Sequence, residues 1–144
     1  MTVLIERDSI DKSASIIWLG GDIDLYVAPE LKDLIFEAIR AGNTDLVVDL
    51  SAVTFIDSTA LGVMVQARKR LEPEGGSIRV ACPSTAIVEI FEMVGLDRVV
   101  PMHESVEDAV MAIRLRRGSA ENKPATRSGT RRWLRVLNER GHPV

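Results

Sequence analysis

Between Leu46 and Val65 the chain changes its hydrophobic period once, and that change fixes most of what it can become. Leu46, Val47, Val48 and Leu50 form a short apolar run, the pattern of a central parallel strand covered on both faces. Further on, Leu61, Met64, Val65 and Leu71 fall on one face at helical spacing. Asp57, Ser58 and Thr59 stand at the join. Oxygens of such residues accept from the orphan N–H groups of a first helical turn, so Asp57 or Ser58 caps a helix over 57–71.

The rest of the chain fits around that unit. Residues 2–5 and 14–19 read as two strands, paired as a hairpin across a polar connection at 6–13. Gly20-Gly21 ends the second strand. After Asp22-Ile23-Asp24, Ala28-Pro29-Glu30 opens a helix whose stripe is Leu31, Ile35, Ala38 and Ile39, with Gly42-Asn43 as its stop. A loop at 72–76 leads to a strand at 77–82. A third helix begins at Pro83-Ser84-Thr85, carries Ile87, Ile90, Phe91 and Val94, and stops at Gly95. Val99-Val100 makes a short last strand, and 105–116 a fourth helix with Val106, Ala109, Val110 and Ile113 inward. The order β-β-α-β-α-β-α-β-α implies an α/β fold. Its mostly parallel, mixed sheet has about five strands, with four helices covering it and an antiparallel hairpin at the start.

Charge divides the chain where the periodicity ends. Residues 1–113 hold 9 Lys+Arg against 19 Asp+Glu, a net −10, while 114–144 hold 9 against 2, a net +7. The expected organisation is a domain at 1–117 and a basic linker and tail at 118–144. An acidic body argues against direct DNA binding by the domain. In the tail, 131–140 could form a short basic helix exposing Trp133, Leu134 and Leu137, although isolated helices this short are marginal in water and a solvated tail is the simpler reading. Docking onto the acidic body is the better of its functional alternatives. No apolar run approaches the roughly 20 residues of a membrane span. The start lacks a basic region followed by a long apolar stretch, so the expected compartment is the cytoplasm. The lone Cys82 ends an apolar run and reads as a buried structural thiol.

Motifs for catalysis are missing: there is no G-x-x-x-x-G-K-[ST], H-E-x-x-H or G-x-S-x-G. His103 and His142, the two histidines available as a base for Ser58, lie in no motif. No cofactor is implied. Asp22, Asp24, Asp49 and Asp57 offer carboxylates near the carboxyl ends of strands, where ligands and partners meet open α/β sheets. Weak Mg²⁺ binding would need more convergent oxygens, so capping and loop hydrogen bonding are their better-supported roles.

Asp57-Ser58-Thr59-Ala60-Leu61-Gly62-Val63, preceded by Leu46-Val47-Val48-Asp49-Leu50-Ser51, resembles the phosphorylation motif of bacterial anti-sigma-factor antagonists, which are single STAS domains. Gly21-Asp22-Ile23-Asp24 is similar to the G-(D/E)-(I/L)-D segment after that family's second strand. The resemblance covers roughly residues 1–115, and the STAS fold has the same element order. The family most often has glycine where Ala60 stands, a mild departure because alanine suits a helix.

The resemblance implies that Ser58 is phosphorylated. It also implies a protein-binding rim of Asp22, Asp24, Asp57, Ser58 and Thr59, with close approach at Ala60 and Gly62. The partner it implies is an anti-sigma factor with serine kinase activity, held by the dephosphorylated form, with a phosphatase as the reset. The role that the resemblance implies is transcription regulation of the stress-response kind. The alternatives are a STAS subunit of a larger signalling or transporter complex, and weak nucleotide hydrolysis, which lacks a phosphate-binding motif. Self-association and modification of Thr59 stay open at this level.

Overall fold

A computed structural model of the chain describes residues 3–118 and, in backbone, 132–137. In chain order the elements are β1 (Val3–Asp11), β2 (Ala14–Ile23), α1 (Ala28–Arg40), β3 (Asp45–Ile56), α2 (Ser58–Leu71), β4 (Ser77–Ala81), α3 (Thr85–Met93), β5 (Met102–His103), α4 (Val106–Arg117) and β6 (Arg132–Leu137). The strands lie side by side as β5-β4-β3-β2-β1-β6. β2 to β5 are parallel, whereas β1 is antiparallel to both β2 and β6.

Alternation along the strands sorts the core into two layers. Ile17, Leu19, Leu46, Val48 and Leu50 face a cluster with Leu31 and Ile35 of α1, Leu61 and Met64 of α2, and Phe91 of α3. Ile16, Trp18 and Val47 face the other way, onto Val106, Ala109, Val110 and Ile113 of α4. The continuous apolar run of β3 follows from this, because both its faces are covered. Each fully buried Leu or Ile there contributes roughly 1.5–3 kcal/mol.

Several boundaries differ from the sequence reading. The β1–β2 hairpin turns on Lys12-Ser13 rather than across 6–13, because Glu6 and Asp8 are buried strand positions. Gly20-Gly21 does not end β2. A Cβ at Gly20 would stand 3.4 Å from the Ala52 and Leu4 side chains, so the bare residue suits a tight passage through the sheet. Gly21, at φ 82°, accompanies shifts of register against β3 between Trp18 and Gly20 and between Gly21 and Asp22, the mark of a bulged strand. Consequently β2 and β3 run on in parallel to Ile23 and Ile56. Asp49, expected at the end of its strand, lies inside β3 opposite Trp18 and Ala81.

The last strand of the body is at Met102–His103, not Val99-Val100, because a 3-10 turn at Leu96–Arg98 swings fully buried Val100 into the core. The stretch 131–140, read as a solvated tail with a short helix as the alternative, is, over Arg132–Leu137, a strand on the outer edge of β1. Its physical reason is that edge, whose N–H and C=O groups reward pairing where a short isolated helix gains little.

A clasp holds α4 at the amino ends of the parallel strands. Asp45, 1% exposed, accepts from Ser77 Oγ at 2.7 Å, Arg117 Nη2 at 2.6 Å and Arg117 Nε at 3.1 Å, and also from Arg116 Nη2. Arg117 reaches on to Asp11 at 2.9 Å. Burial pushes the Asp45 carboxyl up, but the bonds from Ser77 and Arg117 and the charges of Arg116 and Arg117 outweigh it, so it titrates below its ordinary value.

Candidate functional site

The opposite, carboxyl end of the sheet carries the residues singled out at 57–59. Asp57, extended at φ −107° and ψ 176°, is the N-cap of α2, and its Oδ1 accepts from Thr59 N at 3.0 Å and Ala60 N at 3.2 Å. Its own N–H donates to Ile23 O at 3.2 Å. That bond ties the end of β2 to the start of α2. Ser58 is therefore the first residue of the helix, exposed, on a turn already fixed by its neighbour. Of the two capping alternatives, Asp57 takes the role and leaves the Ser58 hydroxyl facing out.

The Asp22–Asp24 segment borders this turn, because Ile23 pairs with Ile56 and Asp22 with Phe55. Asp22 accepts from Thr54 Oγ1 at 2.6 Å across the bulge. Asp24 Oδ1 accepts from Tyr26 N at 3.0 Å and Val27 N at 3.3 Å, closing the turn into α1. Asp49, deeper in the sheet, accepts from Ser51 Oγ at 2.6 Å. The carboxylates of this region thus bond to separate groups, Asp22 across to β3 and Asp24, Asp49 and Asp57 within two or three residues, rather than converging on one point.

Three residues missed in the sequence join the rim. Leu25, Tyr26 and Phe55 are 55%, 58% and 48% exposed, although each is large and apolar. They sit on the β2–α1 loop and at the end of β3, beside Asp22, Asp24 and Ser58. Their signal was present but unreadable: Phe55 continues an apolar strand, and only the three-dimensional position shows that its side chain finds no cover. Such a cluster framed by acidic residues has the character of a protein-contact surface.

One of the two small-residue expectations needs adjustment. Ala60 is fully buried in the core, so its smallness serves the packing of α2 on the sheet and offers nothing to an approaching molecule. Gly62 is half-buried, and a Cβ built there would meet nothing within 4 Å, so its bareness keeps the outside of α2 low.

His103 lies on β5, its Nε2 3.2 Å from Arg79 Nη1. Burial, then the Arg79 charge, pushes its pKa down. It shares a row with Asp49, and the remaining seven residues of β3 put the start of α2 about 20 Å further on, out of reach of a Ser58 hydroxyl. His142 lies outside the described residues. Cys82 is buried, and burial pushes its thiol up, which agrees with a structural role. Among the described residues no helix is long and apolar enough to cross a membrane.

A mixed sheet with three helices on one face and one on the other, and a capped helix start exposed at its carboxyl rim, defines a class of small α/β domains. The chain belongs to the STAS domain family, whose model matches residues 4–109, and anti-sigma-B factor antagonists are among its relatives. It is 31% identical over 107 residues to the anti-sigma-B factor antagonist of Staphylococcus aureus, covering 74% of this chain and 98% of that one. Among solved structures it is similar to an anti-sigma factor antagonist from Mycobacterium paratuberculosis, with TM-score 0.68 and 28% identity over 79% of this chain and 95% of the other. The same fold is found in the Bacillus cell fate determinant SpoIIAA in its phosphorylated form, with TM-score 0.62, 20% identity and coverage of 76% and 99%.

Proposed function

We propose that this protein is an anti-sigma-factor antagonist whose unphosphorylated form binds an anti-sigma factor with serine kinase activity and so frees the sigma factor. Phosphorylation of Ser58 by that partner ends the binding, and a phosphatase restores it. The observation that carries this reading is the exposed Ser58 at the first position of α2, beside an uncovered Leu25, Tyr26 and Phe55. The names of the relatives support the role, and SpoIIAA, solved in a phosphorylated form, supports the kind of switch.

The energetics favour release over unfolding. A phosphate on Ser58 adds about −1.5 to −2 charges. The helix start favours an anion by roughly 0.3–1 kcal/mol, so the domain tolerates it. In a packed interface the same charge sits beside the carboxylates of Asp57 and Asp24, and burying it without a partner costs roughly 2–5 kcal/mol. The interface term wins. Asp22, Asp24, Asp57 and Thr59 shape the contact surface in this reading, and the protein is the substrate of the kinase rather than an enzyme.

The test is capture from the source cell's lysate by the unmodified protein and by Ser58→Glu, followed by incubation of each captured protein with ATP and Ser58→Ala. An ATP-binding protein held by the first bait, lost from the second, and able to phosphorylate the parent but not Ser58→Ala is the expected result. Equal capture of scaffold or transporter components by both baits would overturn the switch and install the larger-complex reading.

A further inference from the structure

β6 gives the sheet an edge that the body alone does not supply. Without it, β1 is the outermost strand, nine residues long, with one row of N–H and C=O groups turned outward. β6 engages the half nearest the chain start, pairing Val3 with Leu137, Leu4 with Val136, Ile5 with Arg135, Glu6 with Trp133 and Arg7 with Arg132. The join is imperfect. Its register shifts between Ile5 and Glu6, and it sets Arg132 opposite Arg7, two like charges at one paired position.

The tether is generous. The clasp fixes the end of α4 beside Asp11, the far end of β1, through the 2.9 Å contact of Arg117. From there to the start of β6 is four strand residues and one strand spacing, about 14 Å. A chain as long as residues 119–131 reaches about 45 Å when extended. The strand can leave β1 without disturbing α4. Because it stays tethered, it also competes for the edge at high effective concentration.

We propose that the outer edge of β1 is a self-association surface for a second copy of this chain, kept closed by the chain's own strand 132–137. β6 runs antiparallel to β1, the direction that β1 of a twofold-related copy would take, and it occupies the same outward groups. An isologous β1–β1 contact and the β6 plug are therefore mutually exclusive. The plug holds the protein monomeric, and its withdrawal permits a dimer with one continuous sheet.

The test is hydrogen exchange of β1 together with sedimentation velocity over a range of concentrations. The proteins are the full chain and the full chain with Arg135→Pro and Val136→Pro together. Successive N–H groups of a strand point to opposite sides, so one of the two prolines must remove a donor aimed at β1. In dilute solution the variant should exchange its outer β1 amides about tenfold faster or more. As it is concentrated it should form a dimer in which that protection returns, while the parent stays monomeric. The same comparison on a full chain carrying a protease site within 119–131, cut after folding and then diluted, tests the point without asking a variant to fold. Unchanged β1 exchange, faster exchange with no concentration-dependent dimer, or a parent that is already dimeric and made monomeric by the prolines would each overturn the proposal.

Discussion

The two ends of the sheet are built on opposite principles. At the amino end, Asp45 is buried and gathers Arg116, Arg117 and Ser77 from elements far apart in the chain. At the carboxyl end, Asp57 and Asp24 bond to backbone groups two or three residues away, and Leu25, Tyr26, Phe55 and Ser58 face outward. Long-range bonds under cover hold a fold together. On the open rim, mostly short-range side-chain bonds, joined by the Thr54–Asp22 and Asp57–Ile23 links across the strands, hold a surface in shape while leaving its outward side chains uncovered. The domain thus keeps its fastening and its proposed contact surface apart, and substitutions should be able to damage one and spare the other.

The strongest way to break that separation is at the fastening. Asp45→Ala strips two arginines of their shared carboxylate and should cost roughly 2–4 kcal/mol in a urea unfolding experiment, part of the penalty being relieved because both arginines reach solvent. Partner binding by the protein that remains folded should be unchanged. Acid probes the same bonds. The Asp45 carboxyl titrates lower in the folded state, so its contribution is full above the ordinary value of 3.8 and fades as pH falls below it through the depressed value. Asp45→Asn should flatten that part of the stability–pH curve, measured by urea midpoints at successive pH values.

At the rim the order reverses. Phosphate on Ser58, or Ser58→Glu, should weaken partner binding by about 2 kcal/mol or more in calorimetry while moving the unfolding midpoint by less than about 0.5 kcal/mol. Phe55→Ala, which removes an exposed ring, should cost about 1–2 kcal/mol of binding and almost no stability. Asp57→Ala blurs the comparison and so sharpens it. Losing the cap of α2 should cost about 1 kcal/mol of stability and should also loosen the turn that presents Ser58. A rim variant that unfolded the domain as readily as Asp45→Ala would show that the two ends are one system.

What the sequence made legible was what local spacing controls. The inward stripe of α4, with Val106, Ala109, Val110 and Ile113, was readable because four residues at helical intervals admit one burial pattern. The capped start of α2 was readable for the same reason. The length of β2 was not, because a glycine pair is an ordinary stop signal. Only the neighbouring Ala52 and Leu4 side chains show why a bare residue also suits the middle of this strand. Arg116 and Arg117 read as polar residues at a helix end, since nothing within 70 positions of them announces Asp45 as their partner. Residues 132–137 admit both a helical and a strand pattern, and the free edge of β1, a tertiary fact, decides between them. Leu25, Tyr26 and Phe55 went unseen because exposure has no periodicity of its own.

The capping of α2 by Asp57 has one more consequence. The N–H groups of Asp57, Thr59 and Ala60 are already occupied, so a phosphate arriving on the adjacent hydroxyl finds few donors to capture and no loose turn to rearrange. The domain would then carry its mark as an inert bead carries a label. In the proposed switch nothing would need to refold when the mark is written or erased, and the lifetime of the signal would be set by the enzymes that handle it and by no internal clock of the protein.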